Sequence, residues 1–299
     1  MKTNTTHIVV YWLVLCLISL AQHLPLSLWY GVASIIGDLV YIFWPEGRRN
    51  VLDNMRNVLG PQASENEIKH TARRSFHNYV KQLVDFARVT RIDPATIEER
   101  LESRGWEHLD QAFQHGKGVI LVGSHMGNWI MAGVVLLGRG YPMSGVYESL
   151  ENERLDRLVN RFAAKVGAEL IPMEYALKRV YRALRQNRAV ALVTDRPLPP
   201  TEGTPVEFFG QRITWPTGPA VLALRTGARI VVGYLAHDGD GGYVVEIYPV
   251  LDFEPAGDEE RDVQRTTQQI VRIQEDSIRR FPDQWYMFRR MWPQEHEKS

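Results

Sequence analysis

Gly118-Val119-Ile120-Leu121-Val122-Gly123-Ser124-His125-Met126-Gly127-Asn128-Trp129 is the stretch on which the reading of the fold turns. Residues 119–122 form an unbroken apolar run of the length of a buried strand, and a helix is expected from about Asn128. His125 therefore stands where a strand gives way to a helix. In α/β sheets ligands collect beyond the carboxyl ends of the strands, so an imidazole at this address meets substrate while a rigid scaffold holds it. On the residues alone, a histidine beside Gly127 and Asn128 serves equally well as a hydrogen-bonded structural residue.

Strand and helix alternate outward from this point. Residues 143–147 read as a strand, Leu155, Leu158, Val159 and Phe162 as one face of a helix, and 170–171 as a short strand. A helix over 176–185 and a buried strand over 189–193 follow. Pro216 and Pro219 suit a helix entrance and Gly227 its exit, ahead of strands at 230–235 and 244–248. This pattern predicts an α/β fold, a mostly parallel sheet flanked by helices. The loop 195–205, with four prolines and Gly203, is too rigid and polar for the interior of an element and is expected to border a site.

The amino end has a different texture. Residues 8–20 are nearly all apolar, and a second apolar stretch over 26–44 is interrupted mainly by Asp38. Each run is marginal for a span of about 20 residues, so a helical hairpin, a re-entrant pair and an interfacial anchor all fit. Trp12, Trp29, Tyr30, Tyr41 and Trp44 are the aromatics expected at a bilayer interface, and Arg48, Arg49 and Arg56 follow. The rival is a cleaved signal peptide, with Lys2 before the run and Ser19-Leu20-Ala21 at cleavage-like spacing, but it leaves 26–44 unexplained. The expected division is a membrane anchor over 1–46 and a catalytic domain over 47–299, with the basic flank putting that domain on the cytosolic side. Between residues 65 and 91, apolar residues recur three or four apart with Lys69, Arg73, Arg74, Lys81 and Arg88 among them, an amphipathic helix whose basic side is expected to be solvated.

Composition removes several classes. Lys plus Arg and Asp plus Glu both total 35, so no basic excess supports a nucleic-acid partner. Cys16 is the only cysteine, which excludes an intramolecular disulfide and a multi-cysteine zinc site. No pairing of histidine with acid at metal spacing is found, and no cofactor is expected. A nucleophile elbow would need glycines two before and two after Ser124, where Val122 and Met126 stand. Phosphate-loop and dinucleotide fingerprints are missing as well.

The His125 segment resembles the lysophospholipid acyltransferase superfamily, marked by a histidine followed five positions later by Asp or Glu. Within it, the likeness is to the bacterial lipid A and phosphatidylinositol mannoside acyltransferases, whose motif commonly reads His, any residue, Gly, Asn, Trp, then the acid. His125, Gly127, Asn128 and Trp129 are in register, but Ile130 stands where the acid belongs. The likeness extends to Glu148, Asn160-Arg161-Phe162, Asp195-Arg196, Val206-Glu207-Phe208-Phe209-Gly210, Gly218-Pro219-Ala220, Trp285 and Arg289-Arg290.

The resemblance implies acyl transfer from acyl-CoA or an acyl carrier protein to a hydroxyl of a membrane glycolipid or phospholipid, at the inner (plasma) membrane. It makes His125 the general base, and Arg161 a cation for a phosphate or the developing oxyanion. Glu148, Asp195 and Glu207 would form a polar shell that hydrogen-bonds the histidine or a sugar hydroxyl, with Ser124, Asn128 and Arg196 among the substrate contacts. Since Ile130 can neither orient nor stabilise an imidazolium, a weak or rewired transferase is expected, with Glu148 the first replacement carboxylate and an acid at 130 expected to raise activity. The alternatives are a lipid-binding pseudoenzyme and a membrane-bound thioesterase.

Overall fold

The computed structural model describes residues 5–199, 201–239, 242–251 and 256–292; Lys2 and Pro200 lie outside them. The chain opens with helices α1 (Thr5–His23), α2 (Leu26–Phe43), α3 (Pro45–Leu59), α4 (Glu65–Arg88) and α5 (Pro94–Glu98). Alternation begins with β1 (Leu101–Arg104), α6 (Trp106–Gln114), β2 (Val119–Gly123), α7 (Trp129–Gly138), β3 (Met143–Tyr147) and α8 (Glu153–Lys165). Then come β4 (Glu169–Pro172), α9 (Ala176–Arg185), β5 (Ala189–Val193) and a hairpin of β6 (Thr204–Phe208) with β7 (Gln211–Trp215). Helix α10 (Gly218–Thr226), β8 (Arg229–His237), β9 (Tyr243–Ile247) and α11 (Glu259–Arg280) complete it.

Among the described residues seven strands form one sheet in the order β1-β9-β8-β2-β5-β3-β4. All neighbours are parallel except β8 and β9. The predicted α/β class with a mostly parallel sheet is therefore found. The sequence reading leaves 101–114 and 259–280 unassigned: β1 carries mostly polar residues and is a strand only because β9 offers it a ladder. β2 lies at the centre of the sheet, which is why it is a solid apolar run.

Helices α6, α7 and α8 cover one sheet face with Leu109, Met131, Val134 and Phe162. Val180 of α9, Ala223 of α10 and Ile270 of α11 cover the other. A third core joins α3, α4, the β6–β7 hairpin and the carboxyl-terminal segment, through Met55, Phe76, Phe208, Trp215 and Trp285. This third core builds a wall beside the carboxyl edge of the sheet.

The two apolar helices at the amino end are each long and apolar enough to cross a membrane. α2 lies along α4: Tyr30 donates to Asp85 at 2.8 Å, and Asp38 accepts from Arg73 Nε at 2.6 Å and meets His77 Nε2 at 2.5 Å. A Cβ on Gly37 would fall 2.8 Å from the His77 Cα, so the two helices touch backbone to backbone there. α1 is fastened at both ends. Near its start the His7 carbonyl accepts from Asn152 Nδ2 at 3.0 Å; near its finish Gln22 donates to the Ala87 carbonyl at 2.8 Å and accepts from Arg91 at 3.0 Å.

The expected solvated basic side of α4 is found at Lys69, Arg73 and Arg74, which are exposed, but several of its cations also hold partners. Arg73 holds Asp38, Arg74 holds Asp283 at 2.7 Å, and Arg88 donates to the carbonyls of Ala21 and Leu24. Arg73, Arg74 and Arg88 thus fasten the apolar helices and the carboxyl-terminal segment to the domain, and Lys81 lies over the Tyr30 ring of α2 at 5.7 Å.

Candidate active site

β2 ends at the carboxyl edge of the sheet, and residues 124–128 connect it to α7. Gly127 has φ +58°, and a Cβ there would come within 1.9 Å of the Leu235 carbonyl oxygen, so the position excludes every side chain. The loop is pinned on all sides. Its amides at Gly127 and Asn128 donate to the carbonyls of Gln284 and Leu235 at 2.8 and 2.7 Å, and the His125 carbonyl accepts from the Tyr286 amide at 2.8 Å. Asn128 is buried and caps α7 by accepting from the Met131 amide at 3.0 Å.

β5 lies beside β2 in parallel register, Gly123 opposite Val193, so the residues two beyond each strand end leave the sheet side by side. These are His125 and Asp195. Asp195 Oδ1 is 2.5 Å from His125 Nδ1, and its Oδ2 accepts from the His125 backbone amide at 2.8 Å and from the Trp285 indole at 2.9 Å. Asp195 is fully buried. Burial by itself raises its pKa, but the charge of His125, then the hydrogen bonds from that ring, from Trp285 and from the His125 amide, outweigh it and hold the carboxyl below the usual range. An ionised carboxylate only accepts, so Nδ1 carries a proton, and in the neutral form of the ring the lone pair is on Nε2.

His125 lines a cleft of about 1200 Å³. Trp44, Tyr79, Trp129, Tyr286, Met287 and Phe288 give it aromatic and apolar walls, and Glu46, Arg49, Glu148, Arg196, Arg289 and Arg290 bring charge to it. Arg196 meets Glu148 at 3.5 Å with both side chains well exposed, a contact worth little, and Arg290 meets Asp53 at 3.5 Å. Arg49 and Arg289 form no ion pair among the described residues. The Tyr286 hydroxyl is buried and has no hydrogen-bond partner among the described residues. Burial also pushes its pKa well above the ordinary value, so it remains a donor awaiting an acceptor.

Residues 1–294 match the profile of the family described as bacterial lipid A biosynthesis acyltransferase. The chain belongs to this family. The acyltransferase is 30% identical to a phosphatidylinositol mannoside acyltransferase of Mycolicibacterium smegmatis, over 74% of this chain and 71% of that one. It is also 30% identical to one of Mycobacterium tuberculosis, over 82% and 77%. A lipid A biosynthesis lauroyltransferase of Escherichia coli is 24% identical, over 93% and 90%.

The acyltransferase brings only some of the expected residues together. His125, Glu148 and Arg196 line the cleft; Asp195 lies beneath the histidine, out of reach of substrate. The expectation that Glu148 orients His125 is replaced, because β5 and not β3 is the neighbour of β2 and Glu148 pairs with Arg196. Ser124 and Asn128 are buried behind the loop and do not line the cleft. Arg161 is exposed on α8 and also stands outside the cleft lining. Glu207 sits on β6, where its backbone is held by the Gln268 side chain at 2.7 and 2.8 Å. Ile130, in the first turn of α7, packs against the apolar core on that sheet face.

Two further groups escape a reading by sequence. Trp285 reads as core or channel wall, yet its indole completes the Asp195 site. Asp85, on α4 and nearly fully buried, accepts from Tyr30 of α2 and from Asn128 Nδ2, both at 2.8 Å, with His237 Nε2 3.4 Å away but not aligned to hydrogen-bond. It ties the histidine loop to an apolar helix. Its helical spacing alone carries no sign of that.

Proposed function

We propose that the chain transfers a fatty acyl group from an acyl thioester, carried by coenzyme A or an acyl carrier protein, to a hydroxyl of a membrane glycolipid or phospholipid of the lipid A or phosphatidylinositol mannoside type. The observation that carries this reading is the His125–Asp195 pair, whose histidine lines a cleft bordered by the end of an apolar helix. Nε2 takes the proton of the acceptor hydroxyl as its oxygen attacks the thioester carbonyl carbon. A tetrahedral oxyanion develops on the carbonyl oxygen as the new bond forms. Collapse re-forms the carbonyl, breaks the carbon–sulfur bond and expels the thiolate, which receives the proton from the imidazolium. Asp195 stabilises that imidazolium and holds its tautomer. The products are an acyl ester and a free thiol.

Arg49 and Arg289 support a phosphate-bearing substrate, since guanidinium groups without partners on a cleft wall favour a phosphate. Asp195 supports turnover over the pseudoenzyme reading, which rested on Ile130. The anchor, residues 1–46, is read as interfacial. A helix of 19 residues is roughly 28 Å long, and α1 meets the same body at both ends, so in this arrangement it lies along the membrane surface and does not cross it. Residues 47–299 form the acyltransferase domain on the cytosolic side of the inner membrane.

The test is a transfer assay of the purified full chain with radiolabelled acyl-CoA and acyl carrier protein, each with and without extracted membrane lipid. Label moving into lipid is the expected result. Free fatty acid formed equally without lipid identifies a thioesterase, and no consumption of either donor overturns the reading.

A further inference from the structure

The cleft is bordered on one side by Trp44, which follows Phe43 at the end of α2; these side chains are 42% and 77% exposed. Its other side contains Leu150, 44% exposed, in the loop 148–152 that follows β3. Two hydrogen bonds from this loop point in different directions. Asn152 reaches the start of α1 through the His7 carbonyl, and Ser149 donates to Glu174 at 3.2 Å. Glu174 lies in a one-turn helix, Met173–Tyr175, that joins β4 to α9.

This corner is unusual for its exposed apolar side chains: Met173 is 60%, Tyr175 70% and Leu177 69% exposed. Scattered apolar exposure needs no explanation, but three large side chains within five residues do. Below them, α9 presents Lys178, Arg182 and Arg185 on one face at spacings of four and three, and none forms an ion pair among the described residues. Arg179, on the next face, is spent on Glu169 at 3.0 Å. Leu177, Lys178, Tyr181, Arg182 and Arg185 together border a shallow depression of about 460 Å³. Apolar tips above a row of unpaired cations match the layering of an anionic bilayer, in which headgroup phosphates lie outside the acyl region. β4 runs parallel to β3, so the corner stands on the same edge of the sheet as the cleft.

We propose that the corner formed by the end of β4, the turn Met173–Tyr175 and the start of α9 is a second lipid-seating surface, for anionic phospholipid, that holds the cleft mouth against the membrane together with α2. Met173, Tyr175 and Leu177 enter the outer acyl region, and Lys178, with Arg182 behind it, meets headgroup phosphates. This rests on the membrane reading above. An acyl acceptor would then reach His125 from the bilayer between two lipid contacts.

The test uses the full chain with Cys16→Ser and Leu177→Cys, labelled with an environment-sensitive fluorophore, and a control labelled at Gln114→Cys, exposed at the opposite edge of the sheet. Vesicles of phosphatidylcholine with phosphatidylglycerol should shift the emission at 177 to the blue and make it quenchable by brominated lipid, with neither effect at 114. Lys178→Glu with Arg182→Glu should weaken that response by roughly tenfold or more, since each surface cation contributes about fivefold to anionic partitioning. Co-sedimentation with vesicles but no shift at 177 overturns this proposal and leaves the anchor intact. Failure to co-sediment removes both. A blue shift without vesicles, with a doubled mass by light scattering, makes the corner a self-interface; a shift with an acidic acyl carrier protein and none with vesicles makes it a carrier site. Either overturns the lipid assignment.

Discussion

Asp195 holds His125 from two directions at once, one oxygen 2.5 Å from the ring Nδ1 and the other 2.8 Å from the backbone amide of the same residue. The carboxylate thus sets both the tautomer and the position of the histidine. Asp195→Asn presents an amide that can donate to Nδ1 and force the proton to Nε2, so turnover should fall by about 10⁴-fold with KM little changed. His125→Ala should fall at least about a hundredfold. Steady-state kinetics on both, with Glu148→Gln alongside, checks this; a larger loss in Glu148→Gln than in Asp195→Asn would refute the pairing.

The same pair should appear in acid stability. Asp195 is held below its unfolded value, so its contribution is fully present above about pH 4, the ordinary aspartate range, and is lost as pH falls through the lower folded value. The difference in unfolding free energy between wild type and Asp195→Asn should therefore be widest near neutral pH and narrow below about pH 4. Urea titrations at neutral and acidic pH measure it, and a gap independent of pH would speak against an ionised Asp195.

Ile130→Glu should not restore a missing acid. The side chain packs on the core of one sheet face, so a carboxylate there should cost about 1–3 kcal/mol of stability and bring no gain in transfer. Denaturant melts and the transfer assay decide this together. A faster Ile130→Glu enzyme would mean that position 130 can reach the histidine after all.

Tyr286→Phe removes one buried hydroxyl and leaves the ring that packs on Tyr79 and Trp129. Because that hydroxyl is buried away from the cleft surface and has no partner among the described residues, its loss should leave kcat and KM little changed and stability equal or slightly higher. Steady-state kinetics and denaturant melts check this; a fall in kcat of about a hundredfold or more would show that the hydroxyl reaches the reacting carbonyl.

The lie of α1 can be read from the accessibility of its ends. In a Cys16→Ser background, Thr6→Cys and His23→Cys should both react with an impermeant maleimide only after cells are opened. Labelling of one of them in intact cells would show a spanning helix and reverse the interfacial reading.

Much of the architecture could be read directly from residues 118–248. The apolar run of 119–122, the helix from Asn128 and the strands at 143–147 and 189–193 are local patterns, and local periodicity is what a chain displays. The position of His125 at a strand end belongs to the same local order, whereas the need for glycine at 127 comes in part from the Leu235 carbonyl of β8. What no local pattern contains is strand order. Glu148 follows the strand next after β2 in the chain, which made it the natural partner for His125; in space β5 intervenes, and β3 stands two ladder spacings, roughly 10 Å, from β2. Asp195, 70 residues from His125, becomes its partner because the sheet places the ends of β2 and β5 side by side. The same holds for Ile130, whose packing against the core is set by the seating of α7, and for Arg73 and Arg88 of α4, whose partners are brought to them by the docking of α1 and α2. Residue type and spacing determined which groups could do chemistry; the parallel sheet and the docking of the apolar helices decided which of them meet.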